Sequence, residues 1–248
     1  MNVANLPTGT VTMLFTDIEG STRLLQQLGT QRFTELVLAH RRTLRAAFSA
    51  HGGQEIGTEG DSFFVVFRRA HDAVAAAVEA QQGLTGLAGP DGAIVRVRMG
   101  MHIGEPRLSD EGYHGLGVHR AARISALGHG GQVLLSGATR AVVSDELDGA
   151  LTLQDLGEHP LKDFAEPEHI FEVRYPGAPE ASPPLKSVAA QKADLPFARR
   201  LARSRPRRGV LVVALAAVVV LSVAAIVLAL RGEEGPDHVT SNLSLIHI

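Results

Sequence analysis

A run of 22 residues without a charge, Gly209 to Leu230 (GVLVVALAAVVVLSVAAIVLAL), limits what this chain can fold into more than any other feature. It is long enough to cross a hydrocarbon core about 30 Å thick. A buried core helix of that length would show polar residues every few positions. The run therefore reads as a transmembrane helix at 209–230, and its place near the C-terminus excludes a signal peptide. Before it, Lys186–Arg208 carries eight Lys or Arg against the single acid Asp194, whereas Arg231 is the only cation of that kind beyond it. The positive-inside rule then puts the N-terminal part in the cytoplasm, as the body of a single-pass protein of the cell membrane. The Pro-, Ala- and Arg-rich text from 177 to 208 reads as a basic linker. Residues 231–248 would be a short extracytoplasmic tail. Its closing SNLSLIHI has no evident purpose, so a truncated end is expected.

All the chemistry must then lie in residues 1–176. A net charge of -2, an aromatic content of 4% and the absence of Trp argue against a nucleic-acid partner. Without Cys there are no disulfides and no thiolate metal sites, which suits a reducing cytoplasm. The richness in Ala, Arg and Gly suits a high-GC bacterial source. Periodicity gives a strand at 11–16 and helical spacing over 21–50, broken by Gly29 into a short and a long helix. Strands follow at 54–58 and 62–67, joined by the Glu59-Gly60-Asp61 turn. Then come an Ala-rich helix at 70–84, a strand over 93–103, a Gly-rich loop, a helix at 117–127, a strand at 132–136 and a helix from Gly137. Two late strands fall near 151–156 and 170–175. This order favours an α+β sandwich, an antiparallel sheet covered by helices.

Two stretches of that body carry most information: FTDIEGST at 15–22 and EGDSFFVVF at 59–67. Each sets an aspartate, Asp17 or Asp61, at the lip of an apolar strand beside small turn residues. Two such carboxylates can hold a pair of divalent cations against a polyphosphate. Glu19, Gly20, Ser21 and Thr22 follow where a helix begins, so free backbone N–H groups there could face the same phosphates. His102, His114, His119 and His129 are scattered without a tight ligand spacing and read as structural or surface residues. No P-loop and no GxGxxG opening a helix is present.

These stretches, together with VRMGMHIGEP, GLGVHRAARI and HPLKDFAEPEHIFEV, resemble the catalytic domain of class III nucleotidyl cyclases, over about residues 8–176. The resemblance implies a ferredoxin-like domain that pairs head to tail as a homodimer with shared active sites. It implies a nucleoside triphosphate substrate, ATP or GTP, and a 3′,5′-cyclic nucleotide and pyrophosphate as products, in intracellular signalling. Two Mg²⁺ or Mn²⁺ ions per site would be held by Asp17, Asp61 and the Ile18 carbonyl. Arg123 matches the family's transition-state arginine, and Lys162 the lysine that grips the polyphosphate. His119 stands where the family has an asparagine, so it is the second expected catalytic residue. Gly57 replaces the purine-reading lysine, which leaves base recognition unassigned. The alternative these departures motivate is a cyclase-homology domain that binds nucleotide or pairs with little or no turnover.

Overall fold

The computed structural model describes residues 6–189, apart from 88, 90, 91, 111, 146 and 148. The expected membrane span at 209–230 and the tail after it lie outside the described residues. Among the described residues no helix is long and apolar enough to cross a membrane.

The first six elements are β1 (Val11–Ile18), α1 (Ser21–Ala50), β2 (Gln54–Glu59), β3 (Ser62–Phe67), α2 (Ala70–Thr85) and β4 (Val97–Gly104). They form the βαββαβ pattern of a ferredoxin-like unit, with strand order β2-β3-β1-β4 and antiparallel pairing throughout. The chain then adds a short hairpin, β5 (Arg107–Ser109) and β6 (Gly112–His114), followed by α3 (Leu116–Leu127), β7 (Val133–Ser136), α4 (Gly137–Val143), β8 (Thr152–His159) and β9 (Glu168–Arg174). The last three strands extend the same sheet to seven, in the order β2-β3-β1-β4-β7-β9-β8, with β7 parallel to β4.

Both faces of the sheet are covered, which is why its central strands read as nearly unbroken apolar runs. On β1 the residues Leu14 and Ile18 face α1 and α2, while Val11, Met13 and Phe15 face α3; β3 alternates likewise, with Phe63, Val65 and Phe67 on one side and Phe64 and Val66 on the other. Phe15 and Phe64 stack at 4.4 Å between centroids. A third cluster, Ile124, Leu127, Leu134, Leu161 and Ile170, fixes α3 over β7 and β9. The small residues of α3 allow a close approach. A Cβ on Gly100 of β4 would lie 2.1 Å from the Ser125 nitrogen.

The break expected at Gly29 is present as a residue with φ 74° and ψ 167° inside α1. The Gly-rich loop before α3 is a correction to the expected layout, because it contains the β5–β6 hairpin. Strands of three residues are too short for periodicity to register. The fourth strand begins at Val97 rather than Ala93.

Candidate active site

The register of the sheet places Asp17 in its site. Asp17 lies opposite Arg98 in the β1–β4 ladder, and both point toward α3. Arg98 donates to Asp17 Oδ2 through Nε at 3.1 Å and through a second guanidinium nitrogen, while Ser62 Oγ donates to Oδ1 at 2.7 Å. Asp17 is 6% exposed and Arg98 also 6%. A buried carboxylate is tolerable here because it has a paired cation and a hydroxyl.

Asp61 reaches the same place from a two-residue hairpin turn. Gly60 takes a φ of 60°, the left-handed conformation that glycine adopts without strain. Arg41 of α1 donates to the Gly60 carbonyl and so ties the turn to the helix. Asp61 Oδ2 accepts from the Ile18 N–H at 3.0 Å and its carboxylate also accepts from the Ser21 side chain. Burial and the nearby charge of Asp17 push the Asp61 carboxyl up to about 6. Two carboxylates thus meet with Arg98 beside them, and the pair is short of positive charge.

That donor set suits a hard divalent cation, which prefers carboxylate and carbonyl oxygens. Among the described residues no group of three or more His, Cys, Asp or Glu could hold a metal. The residues that could hold such a cation are Asp17 and Asp61, with a carbonyl oxygen such as that of Ile18 beside them.

The loop after Asp17 divides by residue. Gly20, at φ 69°, begins α1 and supplies no side-chain cap to the first-turn N–H groups that follow it. Glu19 does not belong with them. Its N–H is donated to the Arg96 carbonyl at 2.8 Å. Its carboxylate accepts from the Gly130 N–H at 3.0 Å and Lys186 Nζ at 3.1 Å, with His129 Nδ1 3.2 Å away. Both the N–H and the carboxylate of Glu19 are thus engaged in fastening the loop.

Arg123 lies elsewhere. It projects from α3 and donates to Asp163 Oδ2 at 2.5 Å, in the turn between β8 and β9. Asp61 occupies the β2–β3 turn, so the two turns stand at opposite edges of the seven-stranded sheet. His119 lies one helical turn before Arg123 and is half-buried. Burial and the Arg123 charge lower its pKa, partly offset by Asp163. Lys162 precedes Asp163 in the same turn. The neighbouring Arg120 is structural, bound to Glu168 and lying 4.9 Å over the Phe164 ring. Gly57 falls at a bulge in β2, between Glu55 and Gly57 in the pairing with β3, and offers no side chain for a base.

Sequence reading had missed Arg98, Ser62 and the fastening of Glu19. Arg98 did carry a signal, a cation inside the otherwise apolar alternation Val97, Met99, Met101. Lys186 had none, since it lies in what reads as linker.

Known proteins bear on this arrangement. An uncharacterised Mycobacterium tuberculosis protein is 40% identical over 199 residues, covering 79% of this chain and 67% of that one. The adenylate cyclase of Neurospora crassa is 27% identical over 69% of this chain, which spans 10% of that protein. Among solved structures, an adenylate cyclase of Trypanosoma brucei in its monomeric state superposes with a TM-score of 0.63 at 26% identity, covering 74% of this chain and 96% of that one. An adenylate/guanylate cyclase/hydrolase from Silicibacter pomeroyi gives 0.59 at 25% identity, covering 71% and 100%. The model for the adenylate and guanylate cyclase catalytic domain matches residues 3–171, nearly the whole of the body that holds Asp17, Asp61 and Arg123, and the chain belongs to that family.

Proposed function

We propose that this chain is a nucleotidyl cyclase that converts ATP or GTP to a 3′,5′-cyclic nucleotide and pyrophosphate for intracellular signalling. The observation that carries the reading is the meeting of Asp17 and Asp61 beside the uncapped start of α1. In the reaction the ribose 3′-oxygen bonds to the α-phosphorus and the bond to the β-phosphate oxygen breaks. Pyrophosphate leaves with that electron pair, and the hydroxyl proton passes to solvent. Two Mg²⁺ or Mn²⁺ ions held by Asp17, Asp61 and the Ile18 carbonyl would lower the pKa of the 3′-hydroxyl and steady the triphosphate.

The remaining roles belong to the chain itself. Ser21 and Thr22 offer N–H groups to phosphate oxygens at the positive end of α1. Arg123 stabilises the charge that builds on the phosphoryl oxygens, assisted by His119 one turn away, and Lys162 holds the polyphosphate. Arg123 is carried by α3 and held by Asp163 of the β8–β9 turn, whereas Asp61 belongs to the β2–β3 turn at the other edge of the sheet; this supports the reading that a complete site takes its carboxylates from one copy and its arginine from a second. That requirement supports a two-fold homodimer with two equivalent sites. The basic text and the uncharged run at 209–230 support a membrane-anchored enzyme with its catalytic body in the cytoplasm.

The test is turnover by the purified full chain with Mn²⁺ and either ATP or GTP, products separated by chromatography. Cyclic nucleotide should form and should fall at least about a hundredfold in Asp17→Ala. Equal turnover by that variant would refute the role of Asp17.

A further inference from the structure

The chain does not leave the domain after β9. Residues 176–187 turn back and run along the body, and each step is held. The Ala178 N–H donates to the Tyr175 carbonyl at 2.9 Å. Pro179 passes over Gly131, where a Cβ would approach its ring at 3.1 Å. Ser182 Oγ donates at 2.8 Å to Glu172, a carboxylate that is 1% exposed. His129 Nε2 lies 3.1 Å from the Pro184 carbonyl, and Leu185 packs on the cluster beneath α3. The run culminates in Lys186. Its N–H donates to the Leu127 carbonyl at 3.0 Å, and its ammonium reaches the Gly128 carbonyl at 2.6 Å and Glu19 at 3.1 Å.

Glu19 is the residue that closes the loop after Asp17 and Ile18. A partly buried ammonium, whose charge is opposed by Arg98 and favoured by Glu19 and Asp17, is a costly group to leave in a passive linker. Its placement ties the end of this strap to the segment that bears the carboxylate pair. We propose that Lys186 is a positioning residue for the β1–α1 loop, and that the strap is a latch joining the C-terminal part of the chain to the cation-binding pair. The cation part of this inference rests on the proposed function; the tie to the loop does not. A force or partner acting on residues beyond 187 would draw Lys186 away from Glu19, loosen the loop and weaken cation binding.

The experiment uses the full chain with Lys186→Met, which keeps the apolar stem and removes the charge, and with Lys186→Arg. Hydrogen exchange is followed in peptides spanning 15–24, with the β3 strand as internal reference, and Mn²⁺ binding is followed by the magnetic resonance signal of the free ion. Lys186→Met should speed exchange in 18–24 and weaken Mn²⁺ binding, each roughly five- to tenfold, while β3 is unchanged. Lys186→Arg should restore most of both. Glu19→Gln combined with Lys186→Met should be no worse than the more affected single variant. Unchanged loop exchange in Lys186→Met would overturn the latch, and so would loss of protection spread evenly over the domain, which marks mere packing. Absence of Mn²⁺ binding by the unsubstituted chain would overturn the functional reading instead, and loop exchange would then decide the latch alone.

Discussion

Arg98 and Asp17 face each other with less than a tenth of either side chain in solvent, so neither can be removed alone without penalty. Arg98→Met leaves a buried carboxylate with only the Ser62 hydroxyl, and should destabilise the domain by about 3–5 kcal/mol in thermal or urea unfolding. Asp61 behaves in the opposite way. Its pKa is raised in the folded state to about 6 from an ordinary 3.8, so between those values the folded domain binds the proton that the unfolded chain has lost. Stability from this group therefore falls as pH rises through that window, and the full penalty stands above it. In chelator-containing buffer, Asp61→Asn should raise stability at pH 7.5 by about 1–3 kcal/mol, a few degrees in Tm, and change it little at pH 4. Equal effects at both pH values would show that the carboxylate is not under strain. A residue whose removal stabilises the fold is one retained for chemistry.

At the scale of elements, much was readable because local and global signals agree. The strands bordering Asp17 and Asp61 announce themselves by apolar runs ending at small turn residues, and the Gly20 and Gly60 conformations explain those residues. The helices read from spacing at 21–50, 70–84 and 117–127 stand at 21–50, 70–85 and 116–127. What was not readable depends on partners distant in sequence. Asp17 and Arg98 are 81 residues apart and meet only through strand register. Glu19 and Lys186 are separated by 167 residues, and no local pattern marks a lysine that returns. The β5–β6 hairpin was hidden by its three-residue strands. The seating of α3 on β4 was equally silent, since it depends on Gly100 having no side chain. Gly100→Ala would force the Ser125 backbone aside and should cost about 3 kcal/mol. A variant with unfolding indistinguishable from the unsubstituted chain would show that α3 is free to shift.

At the scale of the whole molecule, the topology divides the chemistry. The carboxylate pair sits by the β2–β3 turn, and Arg123 is held by Asp163 at the β8–β9 turn across the sheet. On the proposed function, a two-fold pair would bring Arg123 of one copy to the carboxylates of the other.

The most direct measurement is complementation. Full-length Asp17→Ala and Arg123→Ala chains, each inactive alone, are mixed and assayed for cyclic nucleotide with Mn²⁺. Mixed pairs contain one site with every group intact, so an equimolar mixture should recover about a quarter of the unsubstituted activity. No recovery at any mixing ratio, from chains that remain folded, would contradict a shared-site nucleotidyl cyclase.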